Sequence, residues 1–206
     1  MQQIRLFLSI FLLSFSSVIF AETYTEGKHY ITLDKPVKTA VGDKVEVREL
    51  FWYYCSHCFN VEPVLSNWVK KLPNNTAFIR QPAVFSERWE RGAKFFYVLE
   101  QLGEVERLHG QLFDAIHLHK TPLIDQADFV EWLAERGVDK DVANGAFKSF
   151  SVRIKVNKSK LNTVKYHTSG VPALVINGKY WTDASHAGGE LEMFKVADYL
   201  ISKESK

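Results

Sequence analysis

Cys55 and Cys58 are the only cysteines in the chain, and only Ser56 and His57 separate them. A pair at that spacing can close as a disulfide or open as a dithiol, so the chemistry it suggests is two-electron thiol–disulfide exchange. As a structural staple the pair would be inefficient, because the loop it closes is too short to restrict an unfolded chain much. A zinc centre is disfavoured by ligand number, since no second Cys-x-x-Cys and no histidine pair at ligand spacing accompanies it. His117 and His119 lie two positions apart, which on a helix turns them to different faces. No metal and no bound cofactor are expected, because the two sulfurs carry the redox chemistry themselves.

The flanking residues say what must position the pair. An apolar, aromatic run (Phe51, Trp52, Tyr53, Tyr54) leads into Cys55, and Val61, Leu65, Trp68, Val69 and Leu72 follow at helical spacing. Cys55 is therefore expected where a buried strand hands over to a helix N-terminus. Unpaired N–H groups and the positive end of the helix dipole favour an anion there, which lowers the pH at which a thiol ionises. His57 would add positive charge beside the sulfur. Pro63, inside the same helix, should kink it.

Upstream, Tyr30 to Leu33 reads as a short edge strand, and Lys44 to Tyr54 as a strand in which Val45 and Val47 alternate with charged residues. Glu49 is the odd member of its apolar face. Thr76 to Val84 reads as a third strand. From Ser86 to His167 the periodicity is helical, with Trp89, Ala93, Phe96 and Tyr97 in one segment. Val105, Leu108, Leu112 and Phe113 mark a second, and Phe129, Val130 and Leu133 a third. A last helix of this block is expected from about Ser151 to Tyr166. Ser86, Asp125 and Asp139 read as N-caps, Gly103 and Gly137 as stops. Strand character returns at Ala173 to Ile176, followed by Asn177-Gly178 and Lys179 to Trp181, a hairpin signal. A helix from about Gly189 to Ile201 closes the chain.

The 206 residues carry 26 basic and 24 acidic side chains for a net +2, with no stretch concentrated in one sign. A nucleic-acid partner is not indicated. At 46% hydrophobic and 14% aromatic the chain can bury a sizeable core. Residues 1–21 stand apart: Arg5 precedes an apolar run from Leu6 to Phe20 that ends in Ala21, the pattern of a cleavable secretory signal peptide and short for a bilayer span.

The Cys-x-x-Cys after a buried strand, Gly170-Val171-Pro172 ahead of the hairpin and a terminal helix together resemble the thioredoxin fold. With Val175-Ile176-Asn177-Gly178-Lys179-Tyr180, Ala197-Asp198-Tyr199-Leu200 and the inserted helical block, the chain is similar to the bacterial periplasmic DsbA family. The resemblance implies an α/β thioredoxin fold with an inserted all-helical subdomain: a discontinuous domain over 22–85 and 169–206, interrupted by 86–168. It also implies that Cys55 is the exposed nucleophile, Cys58 the resolving cysteine, and Val171 with a cis Pro172 the substrate-binding ledge. Glu49, Glu62 and Arg80 match positions of a partly buried charged cluster beneath the site. Ser56 departs from the Pro-His that the family commonly carries between its cysteines, so Ser56 becomes a residue that tunes the couple.

The function so implied is a periplasmic, monomeric thiol:disulfide oxidoreductase. It would donate the Cys55–Cys58 disulfide to unfolded exported polypeptides bearing thiols and be reoxidised by a DsbB-like membrane quinone reductase. Two other readings stay open: a disulfide reductase or isomerase, for which a dimerisation region would be expected, and a non-enzymatic periplasmic chaperone with a structural disulfide.

Overall fold

The computed structural model describes residues 24–205, and the expected signal peptide lies outside them. Five strands form one mixed sheet: β1 (Ile31–Thr32), β2 (Val45–Phe51), β3 (Thr76–Pro82), β4 (Ala173–Ile176) and β5 (Tyr180–Asp183), in the order β1-β5-β4-β2-β3. Only β2 and β3 pair in parallel, joined over the sheet by helix α1 (Ser56–Val69); the other pairings are antiparallel. The parallel register sets Glu49 opposite Arg80, so two charges far apart in sequence become neighbours inside the sheet.

One face of the sheet packs Val45, Val47, Leu174 and Ile176 against α1 and the terminal helix α8 (Glu190–Glu204), with Val61, Leu65, Phe194 and Leu200 completing the layer. On the other face Leu50, Val175 and Trp181 meet Tyr166. The alternation of β2 leads one to expect charged residues facing solvent. Instead Glu46 is buried: Arg48 Nε donates to its Oε1 at 2.8 Å and the Ala40 N–H to its Oε2 at 3.2 Å, while Arg48 Nη1 donates to Gln81 Oε1 at 3.1 Å.

The insertion holds five helices: α2 (Glu87–Leu102), α3 (Val105–His117), α4 (Gln126–Ala134), α5 (Lys140–Lys148) and α6 (Phe150–Tyr166). The short α5 has no apolar stripe long enough to stand out in sequence, although its cap Asp139 does, accepting from the N–H groups of Asp141 and Val142. Asp125 closes a capping box on α4, and Gly103 ends α2 in the left-handed region, as their residue types lead one to expect. Ser149 caps α6 one position earlier than the periodicity suggests. Phe95 and Phe129 stack at the centre of this block with Phe147 edge-on to both, and its core runs on into Phe51, Tyr53 and Cys58.

The hairpin pairs Ile176 with Tyr180, leaving three residues in its loop where an Asn-Gly pair signals two. Asn177 and Gly178 both have positive φ, 51° and 62°. Gly178 is fixed twice over, since a Cβ there would sit 2.0 Å from the carbonyl oxygen of Val37. The short helix α7 (Ala184–Ala187), capped by Asp183, has no counterpart in the sequence reading.

Candidate active site

Cys55 is the N-cap residue of α1, with an extended backbone (φ −88°, ψ 118°) that turns its side chain across the open end of the helix. Its sulfur is half-buried, whereas Cys58, one turn into the helix, is fully buried. The Cys55 thiol is held down to about 6. The largest cause is the hydrogen bond offered by the Cys58 thiol, which outweighs the opposing burial; the N–H groups of Cys58 and His57 and the charge of His57 add to it. Those N–H groups act electrostatically on the sulfur, since neither makes a capping hydrogen bond with the thiol. Burial pushes Cys58 the other way, well above an ordinary thiol, and the neighbouring Cys55 pushes it further. The pair is thus split into one sulfur ready to ionise and one held protonated.

His57 and Ser56 are both exposed in the first turn. His57 Nδ1 lies 3.3 Å from a carboxylate oxygen of Glu190, the first residue of α8 and an acid the sequence did not bring to notice. Val171 and Pro172 come from the loop before β4, joined by a cis peptide bond, and the Cys55 thiol donates to the Val171 carbonyl oxygen at 3.4 Å.

Glu49, Glu62 and Arg80 meet beneath the cysteines. Arg80 Nη2 pairs with Glu62 Oε1, which also accepts from Ser66 Oγ at 2.7 Å, and Arg80 Nε lies 3.5 Å from Glu49 Oε2. One guanidinium faces two carboxylates, and they part company. Burial, then the charge of Glu62, raises Glu49 to about 8 despite Arg80, and neither Glu49 oxygen has a hydrogen-bond partner. Burial also pushes Glu62 upward, but its hydrogen bonds and the adjacent cation win and hold it below the ordinary carboxylate range.

A fourth member, His109 of α3, escapes a reading made from sequence. Its Nδ1 lies 2.8 Å from Tyr53 Oη, its Nε2 accepts from Arg80 Nε at 3.1 Å, and it sits 3.6 Å from Glu62 Oε2. Burial lowers its basicity, and its contact with Glu62, followed by the charge of Arg80, holds that carboxylate ionised. The available signal is a titratable residue inside the Val105–Leu108–Leu112–Phe113 stripe. His117 ends α3, stacks on Phe59 and lies 2.7 Å from the carbonyl oxygen of Tyr53, two residues before Cys55, while His119 falls beyond the helix. A groove of about 680 Å3 between α1, β3 and α3 opens onto Glu62, Arg80 and His109. Among the described residues no cluster of three or more His, Cys, Asp or Glu could hold a metal ion.

The DSBA-like thioredoxin domain model matches residues 77–196, a span that begins after the cysteines and includes Arg80, His109 and Val171–Pro172. Thiol:disulfide interchange protein DsbA of Pseudomonas aeruginosa is 40% identical over 184 residues, covering 89% of this chain and 87% of its own. The Azotobacter vinelandii protein of the same name is 41% identical over 178 residues, covering 86% and 83%. A crystal structure of Pseudomonas aeruginosa DsbA superposes with a TM-score of 0.85 at 40% identity, covering 88% of this chain and 95% of that one. DsbA from Xylella fastidiosa, at 26% identity, gives 0.82 over 87% and 96%. Agreement of this extent in sequence and fold means that the chain belongs to the DsbA-like thioredoxin family and is a protein-disulfide oxidoreductase.

Proposed function

We propose that the protein works as a dithiol oxidase, donating the Cys55–Cys58 disulfide to thiols of unfolded exported polypeptides. The observation that carries this reading is the split between the two sulfurs, Cys55 lowered to about 6 and Cys58 raised well above an ordinary thiol. A substrate thiolate attacks the accessible Cys55 sulfur, a new sulfur–sulfur bond forms, and Cys58 leaves with the electron pair and takes up a proton. A second substrate thiolate then attacks the substrate sulfur of the mixed disulfide. Cys55 departs as a thiolate, two electrons having passed to the pair. The low basicity of Cys55 makes it a good leaving group, which drives the second step toward oxidised substrate.

The remaining assignments follow from the same reading. Val171 and Pro172 form the ledge on which a substrate backbone lies, supported by the contact of Val171 with the Cys55 thiol. His57 and Ser56 tune Cys55 from the helix end, and Glu49, Glu62 and Arg80 tune the couple from beneath. Residues 22–85 with 169–206 make the exchange domain and 86–168 a cover over it. Residues 1–21 direct export to the periplasm, where the protein works as a monomer and a DsbB-like membrane quinone reductase takes the two electrons back.

Catalysed oxidative refolding of a reduced, unfolded exported protein tests this, run beside insulin reduction. Stoichiometric oxidation by the disulfide form, abolished by Cys55→Ala, supports the oxidase. Efficient insulin reduction with little oxidation points to a reductase, and activity that survives Cys55→Ala points to a binder.

A further inference from the structure

The inner face of helix α6 carries three polar side chains beside Val152, Val156 and Tyr166. Ser159, Asn162 and Thr163 are buried, and each finds a partner: Ser159 Oγ with Tyr97 Oη, Asn162 Nδ2 with Gln81 Oε1 at 3.2 Å, and Thr163 Oγ1 with the Val84 N–H at 3.0 Å. The outward face carries Phe150, Ile154, Leu161 and Val164, between 46% and 66% exposed, with Asn157 between them. Steps of four, three, four and three residues place these five within about 80° of arc along about 21 Å of helix.

Cations flank the stripe on both sides, Arg153 and Lys160 on one edge, Lys158 and Lys165 on the other, and α6 contains no acidic residue. Beside it a cleft of about 630 Å3 between α2, α4, α5 and α6 is lined by Arg91, Lys94, Lys148 and Arg153. None of those four makes an ion pair among the described residues. The two acids at the cleft are engaged elsewhere: Glu90 pairs with Lys160 at 2.6 Å, and Asp125 caps α4.

We infer that the outer face of α6 and the adjoining cleft dock on an anionic lipid bilayer, the four apolar side chains entering the headgroup boundary while the cleft takes a phosphate-bearing headgroup. An apolar stripe edged by lysine and arginine is the pattern of an interfacial helix. Charge excludes a second copy, since pairing two α6 helices would set cation against cation. Area argues against a stable protein partner, because four side chains on one convex helix fall well short of the about 800 Å2 a side that such complexes bury. A bilayer needs only weak, reversible attachment, and this surface supplies that whether or not the proposed exchange chemistry is right.

The test is vesicle co-sedimentation of the chain starting at Glu22, which holds every described element and lacks the apolar run of residues 6–20. Binding is expected to vesicles rich in phosphatidylglycerol and at least tenfold weaker to phosphatidylcholine alone. Leu161→Ser with Val164→Ser should weaken the first about tenfold. Lys148→Glu with Arg153→Glu should weaken it by about fivefold for each cation removed. Both variants should keep the parent's melting temperature and its insulin-disulfide turnover, since these side chains point away from the core. No binding, equal binding to both lipids, or binding unchanged in folded variants would overturn the inference. A concentration-dependent dimer that Leu161→Ser dissolves would overturn it too, by assigning the face to a second copy.

Discussion

The sulfur of Cys55 lies 3.4 Å from the carbonyl oxygen of Val171, a residue 116 positions further along the chain. As a thiol, Cys55 donates to that oxygen; as a thiolate it cannot, and the helix N-terminus and the Cys58 thiol must then hold the charge. The protonation state of one sulfur therefore decides whether it is tied to the loop ledge or to the helix. Thiolate absorbance of the reduced protein should rise with a midpoint near pH 6, with no second step before the alkaline range, because Cys58 is pushed upward. A midpoint near that of an ordinary thiol would contradict the electrostatics described.

The same shift fixes a stability profile. A thiol lowered in the folded state contributes stability to the reduced fold that is complete above the unfolded cysteine value and is lost as pH falls through about 6. Melts of reduced and oxidised protein should therefore diverge as pH rises from about 6 toward 9, the reduced form gaining. A gap that stays constant, or closes, over that interval would show that Cys55 is not the linked group.

Glu49 behaves with the opposite sign. Its carboxyl is raised to about 8 by burial, so between an ordinary carboxylate value and pH 8 the folded state keeps a proton that the unfolded state releases, and stability falls as pH rises. Glu49→Gln removes that dependence and should stabilise the protein at pH 7 by about 3 kcal/mol, with little change at pH 4. Denaturant unfolding at the two pH values checks this, and a variant less stable at pH 7 would mean that the Arg80 pair outweighs burial.

His109→Leu should destabilise the fold by about 1–3 kcal/mol, because it leaves buried Tyr53 Oη without its ring partner and removes an acceptor from Arg80 Nε. An unfolding free energy within about 0.5 kcal/mol of the parent, the range of an ordinary surface substitution, would show that the cluster closes up without the ring.

Gly178→Ala should cost at least about 2 kcal/mol, since the added Cβ meets the Val37 carbonyl oxygen and the backbone is left-handed there. The strand at that edge should loosen first, read as faster amide exchange at Leu33 and Val37, whose N–H groups donate to Lys179 and Gly178.

Much of this architecture was legible because local signals agreed with the tertiary result. The aromatic run into Cys55, the helical spacing after it and the Asn-Gly turn each reflect a constraint that acts within a few residues. What escaped reading is what packing alone decides. Glu46 and Arg48 alternate like solvent-facing charges, yet both are largely shielded from solvent, tied into hydrogen bonds with Ala40, Gln81 and, through Gln81, Asn162 of α6. His109 hid in an apolar stripe because its partners come from β3 and from the turn before Cys55. Glu190 reaches His57 across 133 positions, a distance no local pattern spans. The helix α5 shows in the sequence only through its cap Asp139: with nine residues it is too short for its periodicity to stand clear of the connecting loops.

The central claim is that stabilising the Cys55 thiolate makes the Cys55–Cys58 disulfide an oxidant. The equilibrium of that couple against glutathione measures it directly. The expected potential is markedly more oxidising than the about −270 mV of thioredoxin. A value at or below the thioredoxin potential would contradict it and turn the protein into a reductase.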